Sequence, residues 1–209
     1  ARVLILGTAH MPSYRPFALT RKSYETPLGL CRTDTAFIDA LLKHYPYPLF
    51  EDEFLHRGEH SIELQLPYLQ GLFGDEVPTV PVLCGTLDPF IESGQDPMED
   101  RPIREFRDAL RAAIAASPGG TLIVAASDLA HMGRQFGDRF VMTDEVLRQV
   151  EVEDRRMLDP VIRGDADGFL RDIARDRDAR RICGAMPIYM MLRILEPLSG
   201  TLLEYRQCT

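Results

Sequence analysis

Apolar residues in this sequence form two kinds of pattern. Short unbroken runs stand at Val3-Leu4-Ile5-Leu6, Val80-Pro81-Val82-Leu83 and Leu122-Ile123-Val124-Ala125-Ala126. Runs of this length, with β-branched residues and Gly, Cys or Ser directly after them, read as strands buried on both faces, as in a parallel sheet. Pro81 marks the second as an edge strand or a strand start, because proline cannot donate to a ladder. Between and after the runs the spacing turns helical. Asp34 caps a predicted helix through Lys43 with Phe37, Ile38, Leu41 and Leu42 inward, and a second opens near Pro102 with Ile103, Phe106, Leu110 and Ile114. Val146, Val150 and Leu158, then Ala166, Phe169, Leu170 and Ile173, mark two amphipathic helices in a run of alternating acids and arginines that reads as a solvated face. An apolar helix follows Ile182-Cys183-Gly184-Ala185-Met186-Pro187. Leu202 to Tyr205 reads as a last strand, Ala18 to Thr26 as a possible hairpin, and Asp88 to Arg101 as a surface connection.

One stretch fits both patterns. In Glu59-His60-Ser61-Ile62-Glu63-Leu64-Gln65-Leu66-Pro67-Tyr68-Leu69, the residues Ile62, Leu66, Leu69 and Phe73 make a helical stripe, with His60 and Glu63 on a neighbouring face. The alternation of Ile62, Leu64 and Leu66 also suits a short strand, and Pro67 is compatible with a helix only in its first turn. Helix is the better reading. A histidine beside an apolar stripe is ordinarily a satisfied core or cap residue.

Strands alternating with helices point to an α/β domain with a parallel sheet, and 209 residues with 45% hydrophobic content are enough for one sizeable core. The balance of 24 basic against 32 acidic residues argues against nucleic acid or an anionic membrane as main partner. No apolar run reaches the ~20 residues of a membrane helix and no charged-then-apolar leader is visible, so the reading is a soluble, cytoplasmic protein. Cys31, Cys84, Cys183 and Cys208 show no CxxC pair and read as reduced thiols. The stretch from Met11 to Arg32 is rich in proline and carries Arg15, Arg21, Lys22 and Arg32, which either draw an anionic substrate or make a solvated surface.

The candidate chemistry lies where the runs end. His10 follows the first run in Gly7-Thr8-Ala9-His10, and the third runs into Ser127-Asp128-Leu129-Ala130-His131. Open α/β sheets bind ligands beyond the carboxyl ends of their strands, so His10, Asp128 and His131 are expected on one rim, with His60 reaching it from a helix start. Imidazole and thiolate together suit iron, copper or zinc, and a carboxylate beside a neutral histidine suits acid-base work. None of these residues has a diagnostic metal spacing.

Taken in order, Leu6-Gly7-Thr8-Ala9-His10, Tyr24-Glu25-Thr26-Pro27-Leu28-Gly29, Glu59 to Pro67, Ser127-Asp128-Leu129-Ala130-His131 and Cys183-Gly184-Ala185-Met186-Pro187 resemble the Memo family, including the proteins called AmmeMemoRadiSam system protein B. The resemblance runs through the whole chain and is most specific at the EHSIE stretch. It implies a fold like that of class III extradiol ring-cleavage dioxygenases, a sheet with helices on both faces. It implies His10 and Cys183 as metal ligands, His131 as the acid-base histidine, and Asp128 and His60 as supporting pocket residues, with iron or copper as cofactor. The family carries a further histidine, in an APHAGY stretch before the first strand, that this sequence lacks. The expectation is therefore one Memo-like domain over 1–209, without the family's N-terminal segment and part of its C-terminal strand region, and with a depleted metal site. Two functions follow from the resemblance. One is a redox-metal, dioxygenase-like oxidoreductase acting on a small molecule. The other is a non-catalytic module that presents the pocket to a peptide or partner protein. Two expectations about geometry go with these: all five site residues line one cleft, and Cys183, just before a helix, is an accessible thiol biased toward thiolate.

Overall fold

The computed structural model describes residues 1–74 and 77–208. The three apolar runs are strands: β1 (Arg2–Thr8), β5 (Thr79–Cys84) and β6 (Thr121–Ala126). They lie parallel, with β1 paired to β5 on one side and to β6 on the other. A short β2 (Phe17–Leu19) adds antiparallel to β5, so the sheet order is β2-β5-β1-β6. Placing β5 inside the sheet corrects the edge position that Pro81 suggested. The proline is tolerated because β2 pairs only with Val82 to Cys84, leaving the strand locally unpartnered on that side at Pro81. The small hairpin is β3 (Tyr24–Thr26) with β4 (Gly29–Cys31), later than expected; the residues just before it belong to the main sheet.

Successive residues of a strand face opposite ways, and β1 shows both faces buried. Leu4 and Leu6 enter a large core with α1 (Thr35–Leu42), α4 (Arg101–Ala116), α6 (Ala166–Ala174) and α7 (Ala185–Leu195). Val3 and Ile5 face a thinner layer containing Cys31, Ile62 and Leu66. Helices thus cover both faces, unequally. Asp34 caps α1 by accepting the Phe37 N–H at 2.9 Å, as its position suggested. Asp100 does the same for α4 at Ile103.

The helix expected from Glu59 begins later. Glu63–Gln65 is one 3-10 turn, and α2 runs Leu66–Phe73 with Pro67 in its first turn. Ile62 and Leu66 are buried, but the inward stripe fails at Phe73, which is 50% exposed. The span 88–101 is no bare connection: α3 (Asp88–Ser93) and a 3-10 turn at Pro97–Glu99 bury Ile91 and Met98. The strand expected at Leu202 to Tyr205 does not form, because this segment lies over α5 (Asp144–Arg163), where the Tyr205 hydroxyl donates to Asp154 at 2.8 Å. Nor is the charge run wholly solvated. Arg180 and Asp154 form a buried pair at 2.6 Å, their side chains 4% and 3% exposed. Among the described residues no helix is long and apolar enough to cross a membrane.

Candidate functional site

The end of β1 is where three loops meet, and two glycines let them approach. A Cβ on Gly7 would lie 2.6 Å from Ile62 Cγ1 and 2.7 Å from Ser61 Oγ, so the 59–62 turn packs directly on the strand. Ser61 Oγ then donates to the Thr8 carbonyl at 2.8 Å. A Cβ on Gly184 would lie 2.2 Å from Ser127 Cβ and 2.7 Å from the Asp128 carbonyl oxygen. The loop after β6 and the start of α7 therefore interlock at the one residue that has no side chain.

Glu59 organises the first of these contacts. Its side chain is 5% exposed, and one oxygen takes the His10 backbone N–H at 2.8 Å. The other meets His10 Nδ1 at 2.8 Å and the His60 backbone N–H at 2.9 Å. Burial alone pushes this carboxyl up, but the bonds from His10 and His60 outweigh it and hold it below the usual carboxylate range. A carboxylate at Nδ1 fixes His10 as the Nδ1–H tautomer and leaves the Nε2 lone pair free, the arrangement by which metal-binding histidines are oriented. His60 stacks on His10 with ring centroids 4.9 Å apart and is the more exposed of the two. Among the described residues, His10, Glu59 and His60 are the group whose donor atoms lie close enough to hold a metal, all within 4.8 Å of one another. The sequence reading passed over Glu59. Its signal was an acid directly before His60 in an otherwise apolar frame.

His10 and Cys183 line the same cavity of about 420 Å³, although 173 positions of sequence separate them. The far wall is the 177–183 loop, where Arg177, Asp178 and Arg181 hold left-handed backbone with φ of 55°, 53° and 53°. Non-glycine residues in that region store strain and concentrate at functional sites. The Cys183 thiol is half-buried, as expected, but it is not biased toward thiolate. Burial, reinforced by the Asp128 charge, pushes it up. Cys183 precedes the Gly184 cap, so it lies outside the first turn of α7, where a helix end would help it.

Asp128 and His131 line a different cavity, of about 610 Å³, so the five residues do not share one cleft. The two cavities are linked through the Asp128 carbonyl, which lies 3.9 Å from Cys183 Sγ. His131 Nδ1 lies 3.0 Å from the Leu129 carbonyl and 3.2 Å from that of Arg181. Carbonyls only accept, so Nδ1 carries a proton, and Nε2 lies 3.7 Å from Asp128 Oδ2. The basic loop residues take no part in either cavity: Arg15 pairs with Glu51 at 2.7 Å and Arg21 with Asp39 at 2.6 Å.

A MEMO1 family protein of Thermus thermophilus, TTHA0924, is 28% identical over 205 residues, which is 98% of this chain and 56% of the relative. One from Methanosarcina acetivorans is 29% identical over 206 residues, 97% of this chain and 66% of the relative. One from Aquifex aeolicus is 26% identical over 206 residues, 97% of this chain and 50% of the relative. The chain thus spans half to two-thirds of the length of these relatives. The sequence profile of the Memo-like proteins matches residues 1–209 from end to end, and the chain belongs to that family.

Proposed function

We propose that the cavity shared by His10 and Cys183 is a redox-metal site for iron or copper serving an oxidoreductase reaction on a small molecule. The observation that carries this is the pairing of a free imidazole Nε2, oriented by the buried Glu59, with a half-buried thiol in one cavity. A nitrogen and sulfur donor set suits these metals better than magnesium or calcium. His10 and Cys183 would hold the ion; His60, stacked on His10, lies in the donor group of His10 and Glu59, which does not include Cys183. When bound, the metal supplies open coordination positions and one-electron chemistry. The protein's own part is positional and protonic. Glu59 keeps His10 in one tautomer, and the neutral thiol of Cys183 must lose its proton on binding, so affinity rises with pH. His131 Nε2, with Asp128 beside it, takes or returns a proton.

The test is metal analysis of protein purified without added metal, beside Cys183→Ser and His10→Ala. Near-stoichiometric iron or copper in the parent, lost in both variants, is the expected result. Equal metal content in all three, or none in the parent after reconstitution, removes the reading. A second reading, a module that binds a peptide or partner protein, draws on a row of exposed apolar residues beside His60: Leu64, Tyr68 and Leu72, four apart and 57%, 75% and 75% exposed. It takes over when the metal analysis is negative.

A further inference from the structure

The outer face of α2 has a composition unlike the rest of the chain. From Leu64 to Gly74 eleven residues run without one charged side chain, in a sequence of which 27% is charged. Leu64, Tyr68 and Leu72, four apart, stand on one side, 57%, 75% and 75% exposed, and Phe73 at the edge of that side is 50% exposed. The opposite side is fixed to the protein. Leu66 is fully buried, Pro67 sits in the first turn, and the Gly74 N–H closes the last turn on the Gln70 carbonyl. The apolar face is therefore a firm ridge.

Gly71 is the second observation. It lies inside α2, three residues after Tyr68 and on the same side, and a Cβ built on it would meet nothing within 4 Å outside the helix. Glycine is a poor helix former, and this one is not in the left-handed region, so alanine would serve the helix better. Among the described residues nothing packs against this point to require the missing side chain. A glycine on a helix surface does let a second backbone come close.

We infer that this face is the interface of a two-fold symmetric dimer of the chain, in which the two α2 helices cross and Tyr68 of each copy lies over Gly71 of the other. A two-fold axis sets the same patch against itself, which a charge-free face permits and a charged one opposes. The face also carries both halves of its own complement, a ring and the gap that receives it. A ridge gives a peptide no groove to lie in, whereas it packs well against a second helix. At about 200 Å² for a fully exposed aromatic ring and about 100 Å² for a leucine, the four side chains offer roughly 400 Å² per copy. Twice that, as the ~60% of an interface that is apolar, makes about 1,300 Å², at the lower end of specific interfaces. The inference goes beyond the metal reading and does not depend on it; it commits the exposed row of the second reading to one occupant.

Sedimentation equilibrium over a wide range of protein concentration tests it. A monomer–dimer equilibrium with a dissociation constant in the micromolar range is expected. Salt should tighten it, because each copy carries a formal net charge of -8. Tyr68→Glu and Leu72→Glu, at exposed positions, should each raise the constant about tenfold or more, since each places like charges across the axis. Gly71→Ala should weaken the dimer several-fold while raising the unfolding midpoint of dilute, monomeric protein, a pair of opposite signs that a purely structural glycine does not give. A protein that stays monomeric to ~0.5 mM overturns the inference. So does a dimer indifferent to both glutamates or tightened by Gly71→Ala, since it pairs through another face. The protein expressed from its complete gene gives the remaining outcome: if it is monomeric while residues 1–209 associate, a segment of the same polypeptide covers α2 and the inference falls.

Discussion

Replacing Glu59 by glutamine tests the centre of the site with almost no change of shape. Glu59 Oε1 faces His10 Nδ1 at 2.8 Å and the His60 N–H at 2.9 Å, with the Ser61 N–H at 3.4 Å, while Oε2 faces the His10 N–H at 2.8 Å. A glutamine has one acceptor oxygen where the glutamate has two. Whichever way its amide turns, an NH2 group meets an N–H. The less costly choice puts the NH2 at Oε2 and strands the His10 N–H, at roughly 1–2 kcal/mol for a partly buried donor left unpaired. Loss of charge assistance on the remaining bonds adds about 1 kcal/mol. The sum of about 2–3 kcal/mol corresponds, for a chain of this size, to a fall in unfolding midpoint of roughly 4–12 °C. Thermal unfolding followed by circular dichroism gives the midpoint, and long-range proton–nitrogen correlation of the His10 ring gives the tautomer. We expect a lower midpoint with His10 still in the Nδ1–H form, because the amide oxygen stays opposite Nδ1. A Glu59→Gln protein that melts within ~1 °C of the parent would show that Glu59 does not organise this turn.

Four further outcomes follow from other contacts. Gly184→Ala drives a Cβ into Ser127 Cβ and the Asp128 carbonyl, neither of which can swing away, so it should cost roughly 1–3 kcal/mol in urea unfolding; an unchanged midpoint refutes the interlock. His56 is buried, with Nε2 donating to the Ala18 carbonyl and Nδ1 accepting from the Tyr24 hydroxyl; burial holds its pKa below 6.5, so the folded state prefers the neutral ring. Its contribution is complete above the unfolded value and lost as pH falls through and below it, so stability between pH 7 and 5 should drop less steeply in His56→Gln, and parallel pH profiles would count against this. Arg180→Met leaves Asp154, whose carboxyl burial already pushes up, without its partner and should cost about 3–5 kcal/mol; adding Asp154→Leu should recover much of that, and no recovery would mean the pair is not the cause. Thiol labelling of the native protein should take exposed Cys208 first and half-buried Cys183 later, with Cys31 and Cys84 reacting only on unfolding; fast labelling of Cys183 at neutral pH contradicts its raised pKa.

Much of the architecture was legible in the residues alone. Val3 to Leu6 and Val80 to Leu83 declare strands buried on both faces, and Asp34 with Phe37, Ile38 and Leu41 declares a capped amphipathic helix. Leu122 to Ala126 has the same look but forms the edge strand β6, with Leu122 47% exposed, because no strand among the described residues pairs with its outer side. Those local signals carried His10 and His131 to the carboxyl ends of parallel strands, and the order of motifs carried the family. What failed locally had a distant cause. Pro81 spoke for an edge, and how far β2 extends along β5 decided otherwise. Leu202 to Tyr205 has a strand's composition, yet the segment went to α5, because Asp154 held out a buried acceptor for Tyr205. The charge run around Arg180 read as solvated, since nothing in its spacing says that one arginine turns inward to meet Asp154 across 26 residues. The site divides in the same way. Residue types named its members, but the grouping of His10 with Glu59 and Cys183, and of His131 with Asp128 in a second cavity, depends on loops brought together by Gly7 and Gly184. Contacts between segments far apart in sequence leave no period to read, and only the folded chain sets them.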